Sequence, residues 1–238
     1  NLKTVYSDIN DYYMKSDIFG GDIQAQSNIN VSGNNHLLTY GLDYSKTDTS
    51  RLRSKLRDST ATTTVYVAAG PGVWIPVSAS NSVTSGAQSE KKDTPDSDIT
   101  RTGFYIQDEF SSGKLDFIAG LRYDNYDLDA KADSIYLSSG DTSSNGSGTD
   151  LTAEYAADLS ESSWSPKFAA TYNFNEKLSA YGSYSRGFRA PAYYEVNSSF
   201  YNLQSYYKTE SNPSLKPETS DSYEVGFRRT TDRAKVKI

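Results

Sequence analysis

Gly103-Phe104-Tyr105-Ile106-Gln107-Asp108-Glu109-Phe110 runs into Ser111-Ser112-Gly113-Lys114 and leaves as Leu115-Asp116-Phe117-Ile118-Ala119-Gly120-Leu121-Arg122-Tyr123-Asp124. Before the turn, Phe104, Ile106 and Phe110 alternate with Tyr105, Gln107 and Glu109; after it, Leu115, Phe117, Ala119, Leu121 and Tyr123 alternate with Asp116, Gly120, Arg122 and Asp124. Successive strand residues point to opposite faces, so this period of two predicts two strands, each with one apolar and one polar face. The Ser-Ser-Gly-Lys cluster supplies the turn, and the whole reads as a hairpin.

The unit recurs along the chain. Ile29 and Val31 alternate with Gln24, Gln26, Asn28 and Asn30; Ser32-Gly33-Asn34-Asn35 turns the chain. Leu38, Tyr40, Leu42 and Tyr44 then share a face opposite Thr39, Gly41, Asp43 and Ser45. Phe168, Ala170, Tyr172 and Phe174 lead through Asn175-Glu176-Lys177 into Leu178, Ala180, Gly182 and Tyr184. Tyr223, Val225 and Phe227 alternate with Glu224, Gly226 and Arg228 before Thr231-Asp232-Arg233. With stubs at Asn1–Tyr6 and Ala234–Ile238, roughly nine strand segments are legible.

Between the hairpins lie connections over about 49–99, 130–162 and 188–218. Structureless loops of that length count against strands in a compact soluble domain. In an outer-membrane barrel they are expected, because short turns face the periplasm and long loops face outside. Lipid offers backbone groups no hydrogen bonds, so spanning strands must pair all round. The expected fold class is an all-β transmembrane antiparallel β-barrel. An odd strand count with a stub at each end suits a fragment of such a barrel.

Composition agrees with this reading. Only 36% of the 238 residues are hydrophobic, yet 20 Tyr, 9 Phe and 2 Trp are present. Disordered chains are poor in aromatics, whereas barrel strands need apolar residues only at alternate positions and gather aromatics in interfacial girdles. With no cysteine, disulfides and thiolate metal sites are excluded. A net charge of -6 argues against nucleic acid as a partner. No run approaches the roughly eighteen apolar residues of a membrane helix. The chain opens in a strand without a visible signal peptide, so an internal fragment of a longer mature protein is expected. No carboxylate or serine constellation can be built from the loops, and no glycine loop is built to cradle phosphate, so no enzyme is expected.

Two boxes flank the third long connection: Gly187-Phe188-Arg189-Ala190-Pro191, and about twenty residues later Asn212-Pro213-Ser214-Leu215-Lys216-Pro217-Glu218. Together with the stretches from His36 to Tyr44, Gly103 to Phe110, Gly120 to Asp124, Ser165 to Gly187 and Glu218 to Gly226, they resemble the barrel of bacterial TonB-dependent outer-membrane receptors. The likeness is greatest to the haem and haemoglobin receptor branch. The resemblance implies a barrel of about 22 strands filled by an N-terminal plug. On that basis residues 1–238 form one partial barrel domain, with plug and closing strands absent. It also implies residence in the bacterial outer membrane, in contact with its lipid, and import driven through the TonB complex. The TonB contact belongs to the absent N-terminal part. No intrinsic cofactor is implied; haem or another iron chelate is the cargo, taken free or from a haem-carrier protein such as haemoglobin. A ferric siderophore or cobalamin receptor is the alternative within transport, and a binding or adhesion barrel is the reading from another class.

The haem branch usually carries a histidine between the two boxes; here the connection holds Tyr193, Tyr194, Tyr201, Tyr206 and Tyr207 instead. Tyrosinate ligates haem iron in some proteins, and an aromatic cluster also stacks on flat cargo or joins the outer girdle. The one histidine, His36, follows a short turn, away from the long connections. Phe188, Arg189, Ala190, Pro191, Asn212, Pro213, Leu215, Pro217 and Glu218 are expected to shape the loop base, since proline fixes its own φ and extends its predecessor. Arg189 also suits a bidentate contact with a haem propionate or siderophore carboxylate. In the first connection, Trp74 lies beyond Arg51, Arg53, Lys55 and Arg57, whose spacing of two puts them on one face of a strand. That stretch reads either as a protein-docking surface or as a strand extension above the membrane. Asp124, Asp127, Asp129 and Asp133 are of the type calcium takes, but spacing alone assigns them no metal. Gly140 to Gly148 is Ser/Gly-rich and expected to be a mobile loop tip.

Overall fold

The computed structural model describes residues 2–139, 156–198, 200–202, 207–209, 211–230 and 235–237. Strands β1 (Leu2–Val31), β2 (Asn34–Gly70), β3 (Val73–Lys91), β4 (Asp96–Ser112) and β5 (Leu115–Lys131) are followed by helix α1 (Ser134–Ser139). Strands β6 (Leu159–Asn175) and β7 (Leu178–Arg189), helix α2 (Tyr193–Asn197), β8 (Phe200–Asn202), β9 (Tyr207–Thr209), β10 (Glu218–Thr230) and β11 (Lys235–Lys237) complete the order. Nine strands form one sheet in the order β1-β2-β4-β5-β6-β7-β10-β11, with β3 paired to β2 beyond β4; β8 and β9 pair separately. Every pairing is antiparallel.

The turns are short for local reasons. Ser32 and Gly33 both take positive φ, 51° and 86°, the conformation of a two-residue hairpin turn whose twist matches its strands. Gly113 supplies a φ of 61° between β4 and β5. Between β6 and β7 the Asn175 side chain accepts the Lys177 N–H at 2.9 Å, an Asx turn. The stretch Thr231-Asp232-Arg233 lies outside the described residues, as does 140–148.

Register carries the alternation across the sheet. Ile23 pairs with Leu42, Leu42 with Phe104, Phe104 with Tyr123 and Tyr123 with Trp164. Ala119 pairs with Phe168, Phe168 with Tyr184 and Tyr184 with Tyr223. One face therefore carries the apolar side chains along the middle of the strands, and it stands in the open: Val225 is 86% and Tyr223 77% exposed. Rings gather at two levels. Near the turns, Phe110 stacks on Phe117 at 5.0 Å and Tyr172 meets Phe174 at 4.9 Å; nearer the long connections, Tyr123 meets Trp164 at 4.9 Å and Tyr184 meets Tyr223 at 5.0 Å. Among the described residues only five hydrophobic side chains are buried. A face this apolar and this exposed is the outer wall of a barrel, covered by lipid and banded by aromatics.

The other face is polar. Arg122 spans it, bonding Asp43 at 2.9 Å and Asp124 at 2.7 Å. Gly103 lies beneath this bridge, and a Cβ there would overlap the Arg122 guanidinium and the Asp43 carboxylate. Close approach, not turn formation, is why glycine stands there.

The structure revises three expectations. The segment that begins the chain, described from Leu2, and Gln24–Val31 are not separate; both belong to β1, which pairs with β2 from Leu2↔Thr63 to Val31↔Asn34. The first long connection is a hairpin, since β2 continues to Gly70 and β3 returns beside it. The third connection contains α2 and the small β8–β9 pair.

Candidate functional site

At the loop end, the polar face meets the two boxes. Strand β7 ends at Arg189 because Ala190-Pro191 follows and proline cannot donate to a ladder. The next residues form one helical turn, α2. The Glu195 carboxylate accepts the Ala192 N–H at 2.8 Å, which satisfies a donor at the helix start. Arg189 bonds Glu195 at 2.8 Å and Glu218 at 3.1 Å. Glu218 is also its cross-strand partner at the start of β10, so one guanidinium ties the loop's entrance to its exit. Glu195 and then Glu218 hold the arginine's pKa above its ordinary value. The Ala192 N–H and then Arg189 hold Glu195 below the usual carboxylate range.

The second box folds onto this turn. The Asn212 N–H donates to the Val196 carbonyl at 2.9 Å, and the Asn212 side chain accepts the Ser214 N–H at 3.1 Å. Val196 is buried with Ile99, Tyr126 and Leu128; Leu215, Ala190 and Tyr193 pack against that cluster. Asn197, also buried, reads Ala157 from both sides, accepting its N–H at 2.7 Å and donating to its carbonyl at 2.9 Å. The buried Tyr136 of α1 donates to the Asn197 carbonyl at 3.3 Å. The second and third connections are thereby fastened together.

Lys92, 6% exposed, anchors the first connection to the second. It bonds Asp96 at 2.7 Å and Asp133 at 2.5 Å. Burial opposes its charge, but the two carboxylates outweigh burial and raise its pKa. Asp98 is drawn to about 2, by Lys131 first, against the cost of burial, with Lys46 assisting at 3.1 Å.

Beside this knot is a cleft of about 560 Å³. Arg101, Arg122, Tyr126, Arg186, Phe188 and Arg189 contribute to its lining. Arg101 lies over the Tyr126 ring at 5.2 Å, opposite it in register.

The structure places the expected residues unevenly. Phe188, Arg189 and Ala190 line the cleft. Pro191 is buried there, while Asn212, Pro213, Leu215, Pro217 and Glu218 complete the loop base. Tyr193 is half-buried in the cluster; Tyr194 is 45% exposed and meets it edge-on at 5.5 Å. Tyr201 and Tyr207 lie on β8 and β9; their side chains, and all of Tyr206, are outside the described residues. Trp74, 65% exposed, sits beside the β2–β3 turn opposite Ala68. That level is roughly 75 Å along β2 from Ser45, the partner of Arg101. The row Arg51, Arg53, Lys55 and Arg57 shares a face of β2, and Arg53 pairs with Asp93 at 3.2 Å. Asp124 is engaged by Arg122, Asp127 by Asn125 and Ser160, and Asp133 by Lys92. No group of three or more metal-ligating side chains gathers among the described residues. His36 stacks on Phe110 at 4.5 Å and bonds Asp108 at 2.8 Å, at the turn end.

Arg101, Tyr126, Lys92 and Asn197 were not singled out by the sequence. Two of them carried a readable signal, because Arg101 and Tyr126 continue the polar parity of their strands beyond the apolar alternation.

A family model described as TonB dependent receptor-like, beta-barrel, matches residues 2–237. A hemin receptor of Yersinia enterocolitica is 30% identical over 144 residues, 56% of this chain and 17% of the relative. A hemin receptor of Yersinia pestis is 30% identical over 145 residues, 56% and 18% respectively. The match thus spans less than a fifth of either relative. Among solved structures, the Serratia marcescens hemophore receptor HasR, a double mutant in complex with its hemophore HasA and heme, is similar with a TM-score of 0.45 and 19% identity. That likeness covers 96% of this chain and 40% of that one. The FrpB iron transporter of Neisseria meningitidis has a TM-score of 0.41 and 14% identity over 97% of this chain and 34% of that one. With the family model matched from β1 to β11, the chain belongs to the TonB-dependent receptor-like β-barrel family.

Proposed function

We propose that this chain is part of the barrel wall of an outer-membrane receptor, with the plug in a part of the protein beyond residues 1–238. The receptor binds haem outside the cell and imports it with energy delivered by the TonB complex. The 30% identity to hemin receptors over 144 residues carries the reading. The site's chemistry supports it. Haem presents a flat apolar ring and carboxylates, and the loop end offers an exposed tyrosine beside an arginine-lined cleft. Tyr194, with Tyr193 edge-on behind it, stacks on the ring plane, while the box prolines and the Arg189 bridge hold them in place. Any iron ligand from this stretch is tyrosinate, because the only histidine is at the opposite end of β2. A haem-carrier protein would dock on the same loops.

Ferric siderophore import is the second reading, favoured by the lack of histidine between the boxes. Haemin titration of the full-length receptor separates the two. A saturable Soret band that weakens in Tyr193→Phe or Tyr194→Phe supports haem with tyrosine contact. Absence of a saturable band, with ferric siderophore quenching the receptor's tryptophan fluorescence instead, overturns the haem reading.

A further inference from the structure

We propose that Arg101 and Tyr126 form an anion subsite that receives a carboxylate of the cargo; this rests on the haem reading above. Arg189, the arginine marked by its motif, is poorly suited to that role because Glu195 and Glu218 already occupy its guanidinium. Arg122 is likewise held between Asp43 and Asp124. Arg101 lines the same cleft and makes no ion pair among the described residues. Asp124 is the one carboxylate in the lining, against four arginines, and Arg122 neutralises it. Arg101 is therefore the guanidinium on the polar face of the cleft that no carboxylate among the described residues engages.

Tyr126 is the second, independent observation. It is 2% exposed, lines the cleft, and its hydroxyl has no hydrogen-bond partner among the described residues. Buried hydroxyls are almost always bonded, and one left without a partner points to a group missing from its surroundings. A carboxylate supplies the acceptor that hydroxyl lacks, and it takes charge-assisted bonds from the guanidinium of Arg101. Arg101 is already oriented for this by lying over the Tyr126 ring.

The test uses the full-length receptor with haemin and with haemin dimethyl ester, whose carboxylates are blocked. Wild type should bind haemin more tightly than the ester. Arg101→Gln should weaken haemin by about tenfold to a hundredfold while leaving the ester unchanged. Tyr126→Phe, which keeps the buried ring, should weaken haemin by a smaller factor, again sparing the ester. Arg101→Lys should restore part of the loss. Equal losses for both ligands, or no loss for either, would overturn the subsite and leave haem binding standing. Failure of wild type to bind either ligand would overturn the haem reading and the subsite with it.

Discussion

At Arg189 the guanidinium lies between Glu195 on α2 and Glu218 on β10, and both contacts are close. Replacing it with glutamine should loosen residues 190–217 without unfolding the sheet, seen as faster proteolysis confined to that connection. Lysine should rescue only part of the loss, because it lacks the planar fork through which one guanidinium nitrogen reaches Glu218 and the other Glu195. Asn197 is the buried counterpart. Asn197→Ala leaves the Ala157 N–H and carbonyl without partners, a loss of about 2 kcal/mol. The expected sign is accelerated hydrogen exchange at Ala157 and at Val196, with exchange in β6 and β7 unchanged. The sequence made Arg189 visible by its motif, but its acidic partners became apparent only through the fold. Tyr126 was hidden by number: it is one of 20 tyrosines, and beyond its parity only burial with an unpartnered hydroxyl sets it apart.

At the scale of elements, parity decides what a strand tolerates. Val225 and Glu224 are neighbours on β10 that point to opposite faces. Val225→Lys puts an ammonium on the lipid-facing wall, at a cost of about 2–4 kcal/mol if it lies at mid-depth. Glu224→Gln faces the polar side, keeps an acceptor for the Tyr181 hydroxyl and should leave folding nearly unchanged; urea titration of the receptor in vesicles distinguishes them. The loop base has a pH signature as well. Asp98, with its pKa lowered to about 2, contributes stability that is complete above its ordinary pKa and lost as pH falls through the folded value. Lys92, with its pKa raised, contributes below its ordinary value and loses that contribution as pH rises past the folded one. Hydrogen exchange near the start of β4 should thus be slow at neutral pH and quicken between about pH 4 and 2. The three short turns and the long connections were legible because lipid imposes a period of two on the spanning segments. The β2–β3 hairpin was not, because a strand wetted on both faces needs no apolar alternation, and Val73–Lys91 is rich in Ser, Ala, Asn and Thr.

On the scale of the whole molecule, the sheet puts its apolar side chains on one exposed face and fastens its long connections at one end. Neither arrangement suits water on all sides; both suit a barrel wall with lipid outside, loops above and a polar lumen within. Strands β1 and β11 end the sheet with free edges among the described residues, and free edges promote association. The isolated chain in detergent is therefore expected to run as oligomers in light scattering. Haem-dependent growth tests the central claim most directly. The full-length receptor is expressed in a bacterium stripped of its own haem receptors, with haemin as sole iron source and TonB present or deleted. Growth only when receptor and TonB are both present is the expected result. Failure to grow on haemin while a ferric siderophore restores growth through the same receptor would contradict the assignment.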